Sequence, residues 1–348
     1  MRNSKYTSIL LNQFLKRYPI EPFNYEVFPF PDLRGENCSK EEYEFNVDEQ
    51  LNYRFVSPQI RGYVGSHSQI KSKIDDNIYV SLTRGKVPEI DYSKVCIIKN
   101  FVNDIFGTNI NPDIYLILQP MKKKITTLNH YTSHNINSGM TDQSKIVVFR
   151  YEEWEKVLIH ELLHCVYGHQ TFNIRPNLGD MYKINGKIKT NEAFIESQAL
   201  IIYCMYVKKM YNKDIFMDEI QFSLYQCSKI GRQFKQETSV FSYFIIKTAL
   251  LLNTNYYDFL RKGNKTKREF KQLVNESIRN PTFINIITEQ DMKYSIDDPS
   301  VINYLDNNYE EDINIDVRSR KNIFAEEYAN TTNKFLYESL RMTMHTFL

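Results

Sequence analysis

The stretch that most constrains this chain is Trp154–His169, WEKVLIHELLHCVYGH, in which His160, Glu161, Leu162, Leu163 and His164 spell H-E-x-x-H. Val157, Leu158, Leu162, Cys165 and Val166 lay down an apolar stripe at helical spacing, and neither glycine nor proline interrupts Tyr151 to Tyr167. Gly168 then supplies a stop. On such a helix the two histidines project from one face about 6 Å apart, so both imidazoles reach one tetrahedral Zn²⁺. Glu161 follows the first histidine directly, beside the metal and outside its ligand set, where a general base takes a proton from an attacking water. The bland reading is an amphipathic helix that happens to carry two histidines. Flanking sequence has to decide.

Downstream, Thr190-Asn191-Glu192-Ala193-Phe194-Ile195-Glu196 opens a second helical pattern running to about Met210, and Glu192 and Glu196 stand one turn apart on one face. H-E-x-x-H is the signature of the zincin metallopeptidases. With Asn191 to Glu196, the segment from 154 to 196 resembles the thermolysin-like gluzincins, which pair it with N-E-x-x-x-D. The resemblance implies that Glu192 is the third zinc ligand and that Glu196 accepts the free ring N–H of His160. Glutamate stands at 196 where the family has aspartate. The gap between His164 and Glu192 is also longer than usual, with Asn177 to Asp180 and Asn185-Gly186 reading as turns inside it. Asp180 and His169 therefore stay open as alternative ligands, and a solvated helix face remains the non-functional reading of Glu192. Tyr167 and Gln170 occupy the positions where a metzincin has glycine and histidine, which argues against that branch.

A formal charge of +2 gives no general case for nucleic acid or an anionic membrane. Lys122 to Lys124 and the run Lys262 to Arg268 read as solvated loops. No stretch of 18 apolar residues occurs, and Met1 to Pro19 has no apolar core of signal-peptide kind, so the expectation is an intracellular, cytoplasmic protein without a membrane span. Five cysteines without C-x-x-C spacing suit a reducing compartment, with Cys96, Cys165 and Cys204 on apolar helix faces as free buried thiols. Cys38, in a loop, is a remote candidate for an inhibitory thiolate on the metal.

The expected fold class is α+β, zincin-like: a small mixed sheet with the active-site helix, followed by a mainly helical C-terminal subdomain. Residues 1–90, punctuated by proline, read as an N-terminal arm or subdomain with Tyr25–Phe30 and Ile78–Leu82 as its strand candidates. Residues 91–210 read as the catalytic subdomain: a helix over Ser93–Phe106, strands at Asp113–Leu118 and Lys145–Phe149, the histidine helix and the glutamate helix. Ser133–Met140 reads either as the edge strand for an extended substrate or, equally, as an exposed loop. Residues 211–348 read as helices over 214–230, 239–252, 256–261 and 270–278, an acidic connection over 297–316, and a last helix over about 325–342.

These residues imply hydrolysis of a peptide bond. His160, His164 and Glu192 hold one Zn²⁺ per chain, Glu161 serves as general base, and a donor stabilises the oxyanion. Tyr243 is the candidate donor, chosen on chain position, with His130 and His134 as rivals. The substrate class is protein or peptide, cleaved as an endopeptidase, since no G-x-M-E-N anchor for a free amine is visible. The alternatives are a non-catalytic zinc-binding structural or interaction protein on the same scaffold, and a zinc hydrolase of non-peptide amides.

Overall fold

Alternating apolar side chains set out the main sheet of the computed structural model, which describes residues 27–33, 40–125, 129–142, 145–168, 171–288 and 339–344. Along Asp113–Leu118, Ile114, Leu116 and Leu118 enter one buried cluster while Tyr115 and Ile117 face another. Lys145–Val148 repeats this, with Ile146 and Val148 on the first face and Val147 on the second. A strand apolar on both faces must be covered on both. The sheet is accordingly the middle of three layers.

Its strands are β1 (Glu41–Glu42), β2 (Gln69–Asp75), β3 (Ile78–Thr83), β4 (Asp113–Leu118), β6 (Gly139–Asp142) and β7 (Lys145–Val148), in the order β1-β2-β3-β4-β7-β6. The β3–β4 and β4–β7 pairs are parallel and the others antiparallel. One face is covered by α1 (Val47–Leu51) and α2 (Pro58–Ser66), through Val47, Leu51, Ile60 and Val64. On the other face lie α3 (Ser93–Phe106) and, after the short turn α4 (Ser133–Ile136), α5 (Trp154–Tyr167). Gly107, at φ 59°, closes α3 in the left-handed conformation that glycine adopts at little cost.

Behind α5 lies α6 (Thr190–Tyr211), buried on every face from Ala193 to Val207. A helix apolar all round belongs in a core. It is enclosed by α7 (Phe216–Ile230), by a π-helical turn over Phe241–Ile246 that runs into α8 (Lys247–Leu251), and by α9 (Thr254–Arg261), α10 (Lys267–Ile278) and α11 (Pro281–Thr288). Each fully buried leucine, isoleucine or phenylalanine contributes about 1.5–3 kcal/mol relative to exposure. A small parallel sheet, β5 (His130–Tyr131), β9 (Gln233–Gln236) and β8 (Lys183–Asn185), ties this helical part to the loop before β6. No helix among the described residues is long and apolar enough to cross a membrane.

The architecture is mixed α+β with a mixed sheet, as the sequence implies, with differences in detail. The main sheet crosses residue 90, because β3 pairs with β4. Ser133–Met140 is not one strand: its first half is α4, where Asn135 Oδ1 accepts from Thr132 N at 3.0 Å and from Thr132 Oγ1 at 2.9 Å, and only Gly139 onward is extended. Side chains that satisfy a helix start compete well with a strand. Cys96 is not a free thiol but disulfide-bonded, with its partner outside the described residues, whereas Cys165, Cys204 and Cys227 are free. That pairing removes the cysteine argument for a reducing compartment. Cys38, His169, residues 25–26, the acidic span 297–316 and most of the expected last helix lie outside the described residues. The last part of that helix, Ser339–Met342, is not helical, and Ser339 makes an antiparallel bridge to Lys124.

Ser339–Thr343 runs buried between the Lys123–Lys124 backbone and α7. Glu153 Oε1 accepts from Met342 N at 2.7 Å and from Thr343 N at 2.5 Å, and Glu219 accepts from Met344 N. Glu153 also pairs with Lys123 at 2.8 Å, both side chains fully buried, and it starts α5 at φ 62°. Removing one member of a buried pair leaves the other charge uncompensated, typically at about 3–5 kcal/mol. Glu153→Ala is expected to lower unfolding stability by that amount in urea titration, while Glu89→Ala, at an exposed pair with Lys40, leaves the midpoint unchanged.

Candidate metal centre

The site is built where α5 crosses α6. His160 and His164, one turn apart, turn toward α6, and Glu192 in the first turn of α6 turns back toward them. The two imidazole Nε2 atoms lie 3.1 Å apart, and Glu192 Oε2 is 3.6 Å from His160 Nε2 and 3.4 Å from His164 Nε2. A zinc ion with bonds near 2.0–2.1 Å holds its tetrahedral ligands about 3.4 Å apart. The three atoms match that edge length, and all three lie within 4.8 Å of one another. Two neutral imidazoles and a carboxylate suit zinc by donor chemistry. Asp180 is exposed in the turn Gly179–Met181 and is not part of this group; His169 lies outside the described residues.

Glu196, one turn after Glu192 and fully buried, takes the Nδ1 side of His160 at 2.8 Å through Oε2, which leaves Nε2 as the ligand atom. Its other oxygen, Oε1, accepts from Lys156 Nζ. Burial works against ionising these groups, but their mutual pairing outweighs it. Hydrogen bonds to Glu192 and Glu196, with the negative charges of Glu196 and Glu161, hold His160 up at about 9. Lys156 and His160 bring Glu196 down to about 2, and hydrogen bonds from both histidines keep Glu192 well below the usual carboxylate range.

Glu161 is buried against the edge strand β6 rather than in the ligand triangle. Its Oε2 accepts from Thr141 Oγ1 at 2.7 Å. A Cβ placed on Gly139 would stand 2.7 Å from Glu161 Oε1 and from Val157 Cγ1, so only glycine lets the strand come this close. Arg150 fixes the approach to β6 from beneath, donating to the carbonyls of His134, Asn137, Met121 and Lys122.

Tyr243 reaches the same place from the π-helical turn, a geometry frequent at functional sites. Its hydroxyl donates to Glu192 Oε2 at 3.2 Å, and its ring stands edge-on to His160 with centroids 5.9 Å apart. Burial, together with the negative charges of Glu192, Glu161 and Glu196, pushes its phenol well above the usual range, so it remains a proton donor. His130 is paired with Glu237 at 3.0 Å and His134 is exposed on α4, so neither rival is brought to the triangle by a hydrogen bond of this kind. Gly139, Thr141, Arg150 and Lys156 are members that the sequence reading misses. A usable signal existed only for Lys156, a charge one turn before His160 on the helix face that carries both histidines.

Comparison with protein-family models, with curated proteins and with solved structures finds no match to this chain. The site's geometry therefore carries the functional argument alone.

Elemental analysis of purified protein is expected to find about one zinc per chain, lost in His160→Ala and His164→Ala, weakened in Glu192→Ala and unchanged in Asp180→Ala. In the metal-free protein the folded His160 titrates above its ordinary 6.5. The stabilisation from its proton is complete below about 6.5 and lost as pH rises through about 9. Zinc uptake at neutral pH must displace that proton, so calorimetry in buffers of different ionisation enthalpy should register its release, and apparent affinity should climb with pH up to about 9.

Proposed function

We propose that this chain is a zinc-dependent peptidase. The observation that carries the reading is the triangle of His160, His164 and Glu192 donor atoms at tetrahedral spacing, with the carboxylate of Glu161 beside it on the same helix. Three protein ligands, the number found among the described residues, leave a fourth position open. Structural zinc sites are usually closed by four.

His160, His164 and Glu192 would hold the zinc ion, which would supply Lewis-acid chemistry for activating water and polarising a carbonyl. The remaining work falls to the protein's own groups. Glu161 accepts the proton of the attacking water and returns it to the leaving amine. Tyr243, a neutral phenol at the triangle, donates a hydrogen bond to the oxyanion in the transition state.

An extended peptide has a place to lie. Among the described residues β6 is the last strand of its sheet and pairs only with β7. Phe149 N donates to Ser138 O at 2.8 Å, so by antiparallel alternation the ladder bonds fall on Ser138, Met140 and Asp142. The N–H and C=O of Gly139 and Thr141 face the open edge, and these are the residues whose Cα and side chain touch Glu161. A peptide added as a further strand would run past the base. This supports a peptide substrate over a small amide, which has no main chain to pair.

With a denatured protein or a peptide library as substrate, Glu161→Gln should keep its zinc and lose at least about 100-fold in turnover. Tyr243→Phe should lower kcat more than it raises KM. Retained proteolysis in Glu161→Gln would sink the mechanism. Gly139→Ala, which drives a methyl into Glu161, should reduce turnover with zinc content intact.

A further inference from the structure

α5 carries a buried charge that neither the ligand triangle nor the proton transfers use. Lys156 lies one turn before His160, 1% exposed, and its Nζ donates to Glu196 Oε1. The other oxygen of the same carboxylate accepts from His160 Nδ1 at 2.8 Å. One carboxylate on α6 thus bridges two residues four apart on α5.

A buried lysine–glutamate pair is a poor way to gain stability. Desolvating both ions offsets most of their attraction, and well-packed apolar residues of similar volume often do as well or better. The pair's value here lies in geometry. A glutamate side chain has three rotatable bonds, and a single hydrogen bond to His160 would leave its carboxylate free to rotate and swap oxygens. Anchored at Oε1 by Lys156, the carboxylate has one oxygen left to present, and that oxygen faces Nδ1. Nearby Lys247 shows the contrast: its ammonium donates to Ser223 Oγ at 3.0 Å and acts on Glu196 through its positive charge.

We infer that Lys156 is a positioning residue for the metal centre: by holding Glu196 through one oxygen it aims the other at His160 Nδ1–H and so keeps Nε2 directed at the metal. The inference rests on reading His160, His164 and Glu192 as metal ligands.

The test compares wild type, Lys156→Met, Lys156→Gln, Lys156→Arg and Lys247→Met in the full-length protein, with two readouts. The first is zinc affinity by chelator competition. The second is the downfield, slowly exchanging Nδ1 proton of His160 in NMR spectra, recorded with and without zinc. Lys156→Met is expected to weaken zinc binding 10- to 100-fold, as loss of a ligand's supporting hydrogen bond does, and to broaden or abolish the Nδ1 proton signal. Lys156→Arg should restore most of both, and Lys247→Met should change neither. Lys156→Gln, which keeps a neutral donor, serves if the methionine variant does not fold, and it too should weaken binding. Wild-type affinity and an unchanged Nδ1 signal in the folded variants would overturn the inference, as would an equal loss in Lys247→Met. If wild type takes up no zinc, the ligand reading fails, and the Nδ1 signal decides the role of Lys156 by itself.

Discussion

A charged group can sit in an apolar core only if its neighbours engage it, and the crossing of α5 and α6 is arranged around that demand. Glu196 has both oxygens engaged, one by Lys156 and one by His160, and it lies inside a cluster of isoleucine, leucine and aromatic side chains. These bonds fix the rotation of α5 relative to α6, because shifting either helix by one residue would turn the acid by about 100° away from its partners. Once the rotation is set, His160, His164 and Glu192 converge with no freedom left to them. The same contacts that make the buried charges tolerable therefore also hold the three donor atoms of the candidate metal centre in place.

The sheet contributes the other side of the site. Because β4 and β7 are apolar on both faces, they need a layer on each, and α5 is half of the inner layer. That places the histidine helix across the end of the sheet where β6, paired with β7 on one side, is the last strand among the described residues. Gly139 and Thr141 sit at the contact: one by lacking a side chain, the other by its hydroxyl, they bring Glu161 against the open edge. Glu161 and the strand are positioned by one packing arrangement.

The start of α5 depends on residues far along the chain. Glu153, in a left-handed conformation that costs about 1–2 kcal/mol for a residue other than glycine, is held by Lys123 and by two amides of the 339–344 segment. The sequence reading takes Ser339–Met342 as the end of a helix, yet here it is not helical and forms one bridge, at Ser339. Its backbone amides meet buried carboxylates of Glu153 and Glu219, which offer acceptors that a helix would otherwise supply from its own carbonyls.

How much was legible follows from the range of each contact. Periodicities of 2 and 3.6 are local, so β4, α3, α5 and α6 could be read closely, and two histidines four apart must share a helix face whatever surrounds them. Glu196 beside His160 was reachable only through the spacing of a second motif. The order of the strands, the capping that turned Ser133–Ile136 into helix, the disulfide at Cys96 and the placing of Thr141 were not, whereas the second motif already favoured Glu192 over Asp180. By itself the sequence determined that one helix would carry His160 and His164 on one face with Glu161 beside them. Only the tertiary structure decided which acid completes the triangle, which lysine anchors the acid behind it, and which strand edge lies beside the base. Those contacts join residues 20 to 40 positions apart, and no local pattern encodes them.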